Sequence, residues 1–240
     1  MAHSKTPSLS YFPMPERPLD PTPLEMIIYL YELKARDFHN ARHQAAPKSE
    51  TLQQKAERAA KRDKDWFHLK LERRKIAAHI KLQESLATYR EENKNKSVRE
   101  LAAEEHHPTK KLVRNLRAAG EPKPTPIHEA HHIIPGSGKH RRELILRSRL
   151  NLHAYGVGIN DPVNGIWLRN FAKNTHDDWA TPESPPHRPI HTYNYESWIS
   201  SMFSNDNLPE YVFLSRLQTV KRKLKDGSFP VNILEKKVSG

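Results

Sequence analysis

The sequence predicts an α+β protein in which a mainly helical N-terminal region precedes a small mixed domain. Residues 25–120 are rich in Ala, Leu, Lys, Glu and Arg, which are strong helix formers. After residue 126 the sequence changes to short β-like runs such as AHHIIP and GIWLR, separated by turns rich in Gly, Asn and Asp. The proline-rich stretch EPKPTP lies between these two regions of different composition and predicts a domain boundary.

Five segments follow from these changes of composition. We expect a proline-rich arm, a basic helical region, a linker, a compact domain, and a basic C-terminal helix with its tail. In chain order these are residues 1–24, 25–120, 121–126, 127–205 and 206–240.

The predicted helices of the N-terminal region follow apolar spacing and composition. A first helix is predicted from about Pro23 to Ala45, where apolar residues recur on one stripe. A second is predicted from about Ser49 to Asn93, a stretch without Gly or Pro. Its residues 51–81 carry ten Lys or Arg against four Asp or Glu, so we expect a solvated basic face.

The third helical piece begins near Ser97, where SVRE matches a capping box, and it stops at Gly120. Pro108 interrupts it, and we assign the doublet His106–His107 to a helix surface. Later in the chain, residues 189–204 predict a helix with proline in its first turn, and residues 208–225 predict another.

Composition limits the functional classes. The chain has a net charge of +12, no cysteine and no apolar run of 18 residues, so we expect no disulfide, no thiolate metal site and no membrane span. Residues 127–205 have nearly balanced charge but hold 8 of the 15 histidines. Most of the basic charge therefore lies outside the segment that holds most of the histidines. This separation indicates one region of the chain that binds a partner and another that carries out chemistry.

The histidines of this segment suggest metal-assisted chemistry. His131 and His132 are adjacent on a predicted strand, Asn164 precedes the apolar run IWL, and His191 lies in the first turn of the predicted helix 189–204. One imidazole of a doublet can bind a divalent cation while its neighbour accepts a proton near neutral pH. Hydrolysis of a phosphodiester requires this division of roles.

The segment 127–205 resembles the AHH group of the HNH/endonuclease VII nucleases, which have a ββα-metal fold. The resemblance rests on Ala130-His131-His132 followed by IIP, on INDPVNGIWL, and on the H-x-x-x-Y spacing of His191 and Tyr195. It implies that His131 and His191 bind the metal, that His132 is the general base, and that Asn164 holds the loop and the base in place.

Several residues depart from the pattern or supplement it. Many HNH nucleases use two ligands four residues apart on the last helix, whereas Tyr195 follows His191 here. We expect Tyr195 to pack or to contact phosphate. The third metal ligand is left open among His187, water and Tyr195 itself. Arg141 and Arg142 either grip phosphate or lie in a solvated loop.

The sequence thus predicts a metal-dependent, sequence-nonspecific endonuclease that acts on DNA with one divalent cation, Mg²⁺, Zn²⁺ or Ni²⁺. The resemblance implies an antibacterial toxin with a cognate immunity protein, which we expect to be acidic. The N-terminal sequence lacks a secretory signal. We therefore expect export by a dedicated secretion apparatus, docking through the N-terminal region, and action in the target-cell cytoplasm.

Two alternatives remain open at this point. One is an RNase with the same site, because nothing in the sequence excludes a 2′-hydroxyl. The other is a non-enzymatic basic helical protein that binds nucleic acid or a partner.

Overall fold

The computed structural model describes residues 12–44, 47 and 49–235. Over these residues the chain has an antiparallel pair of strands surrounded by helices. The helices are α1 (Pro23–His43), α2 (Leu52–Lys94), α3 (Val98–Ala102), α4 (Lys110–Ala118), α5 (Arg142–Ala154), α6 (Tyr193–Phe203) and α7 (Glu210–Asp226), and the strands are β1 (His128–His132) and β2 (Gly165–Arg169). The α+β class predicted from the sequence is confirmed. Among the described residues, no helix has the length and apolar character needed to cross a membrane.

The chain divides into two compact units, residues 1–81 and 82–240. The division lies well before the predicted linker at 121–126. Residues 82–120 belong to the same unit as the strands because α4 packs on the sheet, through Leu112 and Leu116 against Ala130 and Trp167.

The first unit contains α1 and the N-terminal part of α2. The Asn40 side chain holds the end of the arm by two hydrogen bonds with the backbone of Phe12, at 3.1 and 3.3 Å. Arg58 forms a two-pronged ion pair with Glu50, with both contacts at 2.6 Å. Leu69 is the one buried apolar side chain among the described residues of this unit, so apolar burial in it is slight.

The second unit has a continuous apolar core between the sheet, α5, α6 and α7. It is built from side chains that are fully or almost fully buried, including Ile133, Ile134, Ile166, Tyr195 and Phe213. Burial of such side chains stabilises the folded state by roughly 1.5–3 kcal/mol each. This core therefore fixes the two strands relative to α6, which is what places the site.

The sheet pairs Ala130 with Trp167, His131 with Ile166 and His132 with Gly165. α4 crosses β2 so closely that a Cβ on Gly165 would lie 2.6 Å from Leu112 Cδ1. Glycine fits there because Leu112 of α4 approaches the backbone closely. Strand β2 begins at this residue.

Three local predictions are wrong. Residues 188–190 form a single 3-10 turn and α6 begins only at Tyr193, so His191 lies before the helix and not on it. The doublet His106–His107 lies in the loop between α3 and α4 rather than on a helix surface. Arg142 is the first residue of α5, a helix that the sequence did not predict, so the loop expected around Arg141 and Arg142 ends at Arg141.

Candidate active site

The pleat of β1 directs its two neighbouring histidines to opposite faces of the sheet. His131 packs on the face of α6, where its ring lies 5.5 Å from that of Tyr195. His132 lies on the other face, with its ring 6.2 Å from that of His106 and 6.3 Å from that of His107. Because β1 ends at His132, both side chains still line one cavity of about 230 Å³.

Three histidines converge on the His131 side of this cavity. The ring centroid of His131 lies 5.2 Å from those of His187 and His191, which are 5.5 Å from each other. One ring nitrogen from each lies within 4.8 Å of the others. His131 is buried, His187 is half-buried and His191 is exposed, so the cluster opens toward the solvent on one side.

His187 and His191 flank the 3-10 turn at 188–190, and the main chain holds this turn to the sheet. The amides of His187 and Arg188 donate to the carbonyls of Arg169 and Asn170 at 2.6 and 3.0 Å. Thr192 then caps α6 by accepting from the Tyr195 amide at 3.0 Å. The sheet edge and the helix cap, rather than the helix itself, therefore position these two histidines.

Tyr195 orients His131. Its hydroxyl donates to the Ile133 carbonyl at 2.8 Å and lies 2.9 Å from His131 Nε2. Since its one proton is used on the carbonyl, the hydroxyl accepts from His131 Nε2–H, and the lone pair of His131 is left on Nδ1. Tyr195 is fully buried, so the expectation that it contacts phosphate is wrong.

Glu129 has the corresponding role for His187. Its carboxylate accepts from His187 Nδ1 at 2.6 Å and from two nitrogens of Arg188 at 2.9 and 3.2 Å. His187 Nε2 is therefore left with the lone pair. Metal-binding histidines commonly donate their second N–H to a carboxylate in this way.

These donor atoms fit a transition metal. Three imidazoles, two of them with a tautomer fixed by a neighbour, suit Zn²⁺ or Ni²⁺, whereas Mg²⁺ prefers oxygen ligands. Burial lowers the pKa of His131 well below its ordinary value, and the neighbouring histidines lower it further. Burial also lowers the pKa of His187, although Glu129 opposes this shift. Both rings are thus neutral near pH 7 and available to a cation.

His132 lies apart from the cluster and has its own partner. It is 6% exposed, and its Nε2 is 3.0 Å from Asn160 Oδ1. Burial lowers its pKa to about 4, against a weaker opposing contribution from Asn160. At neutral pH the ring is therefore uncharged, and one of its two nitrogens carries a lone pair.

Asn164 holds the turn after β1. Its Oδ1 accepts from the Ile134 amide at 2.8 Å, and its Nδ2 donates to the carbonyls of Ile134 and Ile159 at 3.2 and 3.1 Å. Its own carbonyl accepts from the Ile133 amide at 2.8 Å. The side chain is fully buried and supports the loop that follows His132.

The rest of the cavity lining departs from the sequence prediction. Arg141 and Arg142 do not line it; the Arg141 guanidinium bonds the Tyr193 hydroxyl instead. Lys139 is the basic residue of the lining. The buried Glu196 carboxylate fixes this loop by accepting from the amides of three consecutive residues, 139, 140 and 141, at 2.6–2.8 Å.

Sequence reasoning missed several residues of this site. Glu129 is two residues before His131, and strand alternation alone places both on one face. The doublet His106–His107 was visible in the sequence but was assigned to a helix surface, whereas it lines this cavity. Asn160 and Glu196 were not singled out, because their partners are distant in the chain.

Comparison with known proteins adds one finding. Residues 112–237, just over half of the chain, match the model of a family described as a nuclease family of the HNH/ENDO VII superfamily with conserved AHH. No curated protein and no solved structure matches the chain.

Proposed function

The chain belongs to the AHH family of HNH/ENDO VII nucleases, and from this premise we propose that it is a sequence-nonspecific DNase that uses one divalent cation. The observation that carries the proposal is the separation of two functions within one cavity. His131, His187 and His191 form a cluster suited to a cation, and His132 opens into the same space from the other face of β1.

In the proposed reaction, His132 takes a proton from a water molecule, and the resulting hydroxide attacks the phosphorus in line. The bond from phosphorus to the 3′-oxygen breaks, leaving a 5′-phosphate and a 3′-oxyanion that takes a proton from solvent to become the 3′-hydroxyl, while His132 returns its proton to solvent. A cation on the three-histidine cluster would supply positive charge to the phosphate and to the leaving oxygen. Lys139 adds a positive charge at the lining.

The general-base role is tested by His132→Ala. General-base catalysis typically contributes 10²–10⁴-fold, so we expect kcat to fall by about that factor while binding of Zn²⁺ is retained. Plasmid nicking and metal titration measure the two properties separately. His153→Ala is a matched control, because His153 is equally buried but bonds to Arg149 and to the Val157 carbonyl, outside the cavity lining.

Substrate choice is tested with plasmid DNA and total RNA, each with and without EDTA. We expect DNA to be cut and chelation to stop cleavage. Cleavage of RNA alone would favour the RNase alternative, and activity that survives removal of all metal would contradict the role of the cluster.

We place this activity in an antibacterial toxin that a dedicated secretion apparatus delivers to the cytoplasm of a target cell. A nonspecific DNase would endanger its producer, which requires an immunity protein, and the net charge of +12 suits an acidic one. Expression of the wild-type chain in bacteria should deplete stained DNA, whereas His132→Ala should not. Growth and DNA content that are identical for the two would contradict a toxic role.

A further inference from the structure

Asn160 joins the proposed base to residues that precede the family match. It is fully buried in the loop between α5 and β2, and its Oδ1 lies 3.0 Å from His132 Nε2. Its Nδ2 donates to Glu104 Oε1 at 3.1 Å and to the Glu105 carbonyl at 2.9 Å. Neither of those oxygens can donate, so the amide has one orientation, with its oxygen facing His132.

This orientation determines the tautomer of His132. A neutral imidazole has one N–H donor and one acceptor nitrogen. Because Asn160 Oδ1 can only accept, Nε2 of His132 carries the proton and Nδ1 carries the lone pair. A general base must present a lone pair to its water, and the other tautomer would present a proton at that position.

We propose that Asn160 is a positioning residue, which holds His132 in the tautomer whose Nδ1 can accept a proton, and that Glu104 holds Asn160. The inference rests on the proposed function only in taking His132 as the base. It assigns to Asn160 a role different from that of Asn164. The Asn164 side chain bonds to the backbone of Ile134, in the loop after β1, and of Ile159.

Glu104 is itself held firmly. Its carboxylate accepts from Lys111 Nζ at 2.5 Å and from the Tyr89 hydroxyl at 2.8 Å. Burial raises the pKa of this carboxyl, but hydrogen bonds from Lys111, Asn160 and Tyr89 outweigh burial and lower it overall. An ionised acceptor therefore faces the Asn160 amide at neutral pH.

The backbone of Asn160 is also anchored. Its carbonyl accepts from Asn115 Nδ2 at 2.9 Å, which ties it to α4. The side chain and the main chain of Asn160 are thus held separately, so removal of the side-chain amide leaves the loop attached. This makes Asn160→Ala a usable test.

The first measurement needs neither metal nor activity. Long-range ¹H–¹⁵N NMR of the histidine-labelled, metal-free full chain reports which ring nitrogen of His132 carries the proton, and His132→Gln assigns the signal. We expect the Nε2–H form in the wild type and a mixture of tautomers in Asn160→Ala. An unchanged Nε2–H signal in Asn160→Ala, or an Nδ1–H form in the wild type, would overturn the inference.

The second measurement replaces the Asn160 amide with a carboxylate. Asn160→Asp keeps an acceptor for His132 but sets its second oxygen against the Glu104 carboxylate, 3.1 Å away, and the Glu105 carbonyl. We expect this repulsion to displace the side chain from His132 and to lower kcat by about 10- to 100-fold, less than loss of the whole base. The double variant Asn160→Asp with Glu104→Gln restores a donor–acceptor pair between residues 104 and 160, although the Glu105 carbonyl still lacks its donor, so kcat should rise above that of Asn160→Asp alone. KM and Zn²⁺ affinity should stay at their wild-type values throughout.

Asn151→Ala is the matched control, because its amide donates at 3.0 Å to the Phe203 carbonyl and lies outside the cavity lining. It should keep wild-type kcat. The positioning role is contradicted if kcat of the double variant is no higher than kcat of Asn160→Asp, or if Asn160→Ala has full activity. Either result leaves the DNase proposal standing. A wild-type chain that cuts no nucleic acid contradicts the DNase proposal, while the NMR result still tests Asn160.

Discussion

At the scale of single residues, the site is a set of histidines, and neighbours fix the tautomers of His131, His132 and His187. Sequence patterns located His131, His132, His187 and His191, because these residue types occur together at recognisable spacing. They did not locate Asn160, because its partner Glu104 is 56 residues away and no local pattern links them. Ligand types are a property of the sequence, whereas the second partner of each ring depends on tertiary packing.

Tyr195 illustrates this difference, and it yields a prediction. Tyr195→Phe keeps the buried ring but removes the acceptor of His131 Nε2–H, so either ring nitrogen can then carry the proton. Loss of such an orienting partner typically costs 10- to 100-fold in metal affinity, and we expect about that loss for Zn²⁺. Competition with a chromogenic chelator measures it.

Tyr155→Phe is the control for this change, because the Tyr155 hydroxyl bonds the Leu208 carbonyl and lies outside the cavity lining. It should bind Zn²⁺ as the wild type does. Equal metal affinity in both variants would show that Tyr195 does not orient His131.

At the scale of elements, composition and apolar spacing predicted α1, α2 and the strands closely. The start of α6 was misplaced, because proline in a first turn matches a 3-10 turn as well as an α-helix, and the effective cap is Thr192. α5 was not predicted, although RELILRSRLNLHA contains many helix-forming residues and no Gly or Pro, because its apolar residues form only a weak stripe.

The packing of α4 on β2 predicts a specific steric effect. Gly165→Ala places a methyl group 2.6 Å from Leu112 Cδ1, so we expect a loss of about 1–3 kcal/mol in the free energy of unfolding. Urea denaturation measures it. In a double-mutant cycle, Leu112→Ala makes room for the added methyl group, so the two losses should be less than additive. Strict additivity would contradict direct contact between the two side chains.

At the scale of the whole molecule, the sequence placed the boundary between binding and chemical parts at 121–126, whereas the compact units meet at residue 81. A proline-rich stretch resembles a linker whether or not the residues before it pack on the same core. Here the second unit includes Glu104, His106 and His107, all of which precede that stretch.

This organisation predicts the effect of truncation. A chain that begins at Leu82 keeps every residue that lines the cavity and should retain kcat on plasmid DNA. A chain that begins at Leu112, where the family match starts, lacks Glu104 and should lose kcat by about 10- to 100-fold or more. Equal activity of the two chains would contradict a role for residues 82–111 in the site.

The buried histidines predict how stability depends on pH. Burial lowers the pKa of His128, His131, His132 and His153 in the folded chain. The unfolded chain, with histidines near 6.5, therefore binds more protons as the pH falls below that value, and acid favours unfolding. For His132, whose pKa is about 4, the loss approaches 3 kcal/mol at about pH 4.

Urea denaturation of the metal-free chain at pH 7.5 and pH 5 checks this expectation. The midpoint should fall on acidification, and His132→Gln should show a smaller fall. A midpoint that is the same at both pH values would contradict burial of neutral histidines.

The attachment of residues 187 and 188 to the carbonyls of Arg169 and Asn170 has one more consequence. Main-chain hydrogen bonds fix the position of the backbone at residue 187, so its side chain can be replaced without moving the backbone. His187→Cys would therefore present a thiolate to the same cation, and thiolates suit soft metals such as Zn²⁺. Loaded with cobalt(II), such a variant would give the cluster a colour, and the nuclease would become an optical probe of its own metal occupancy.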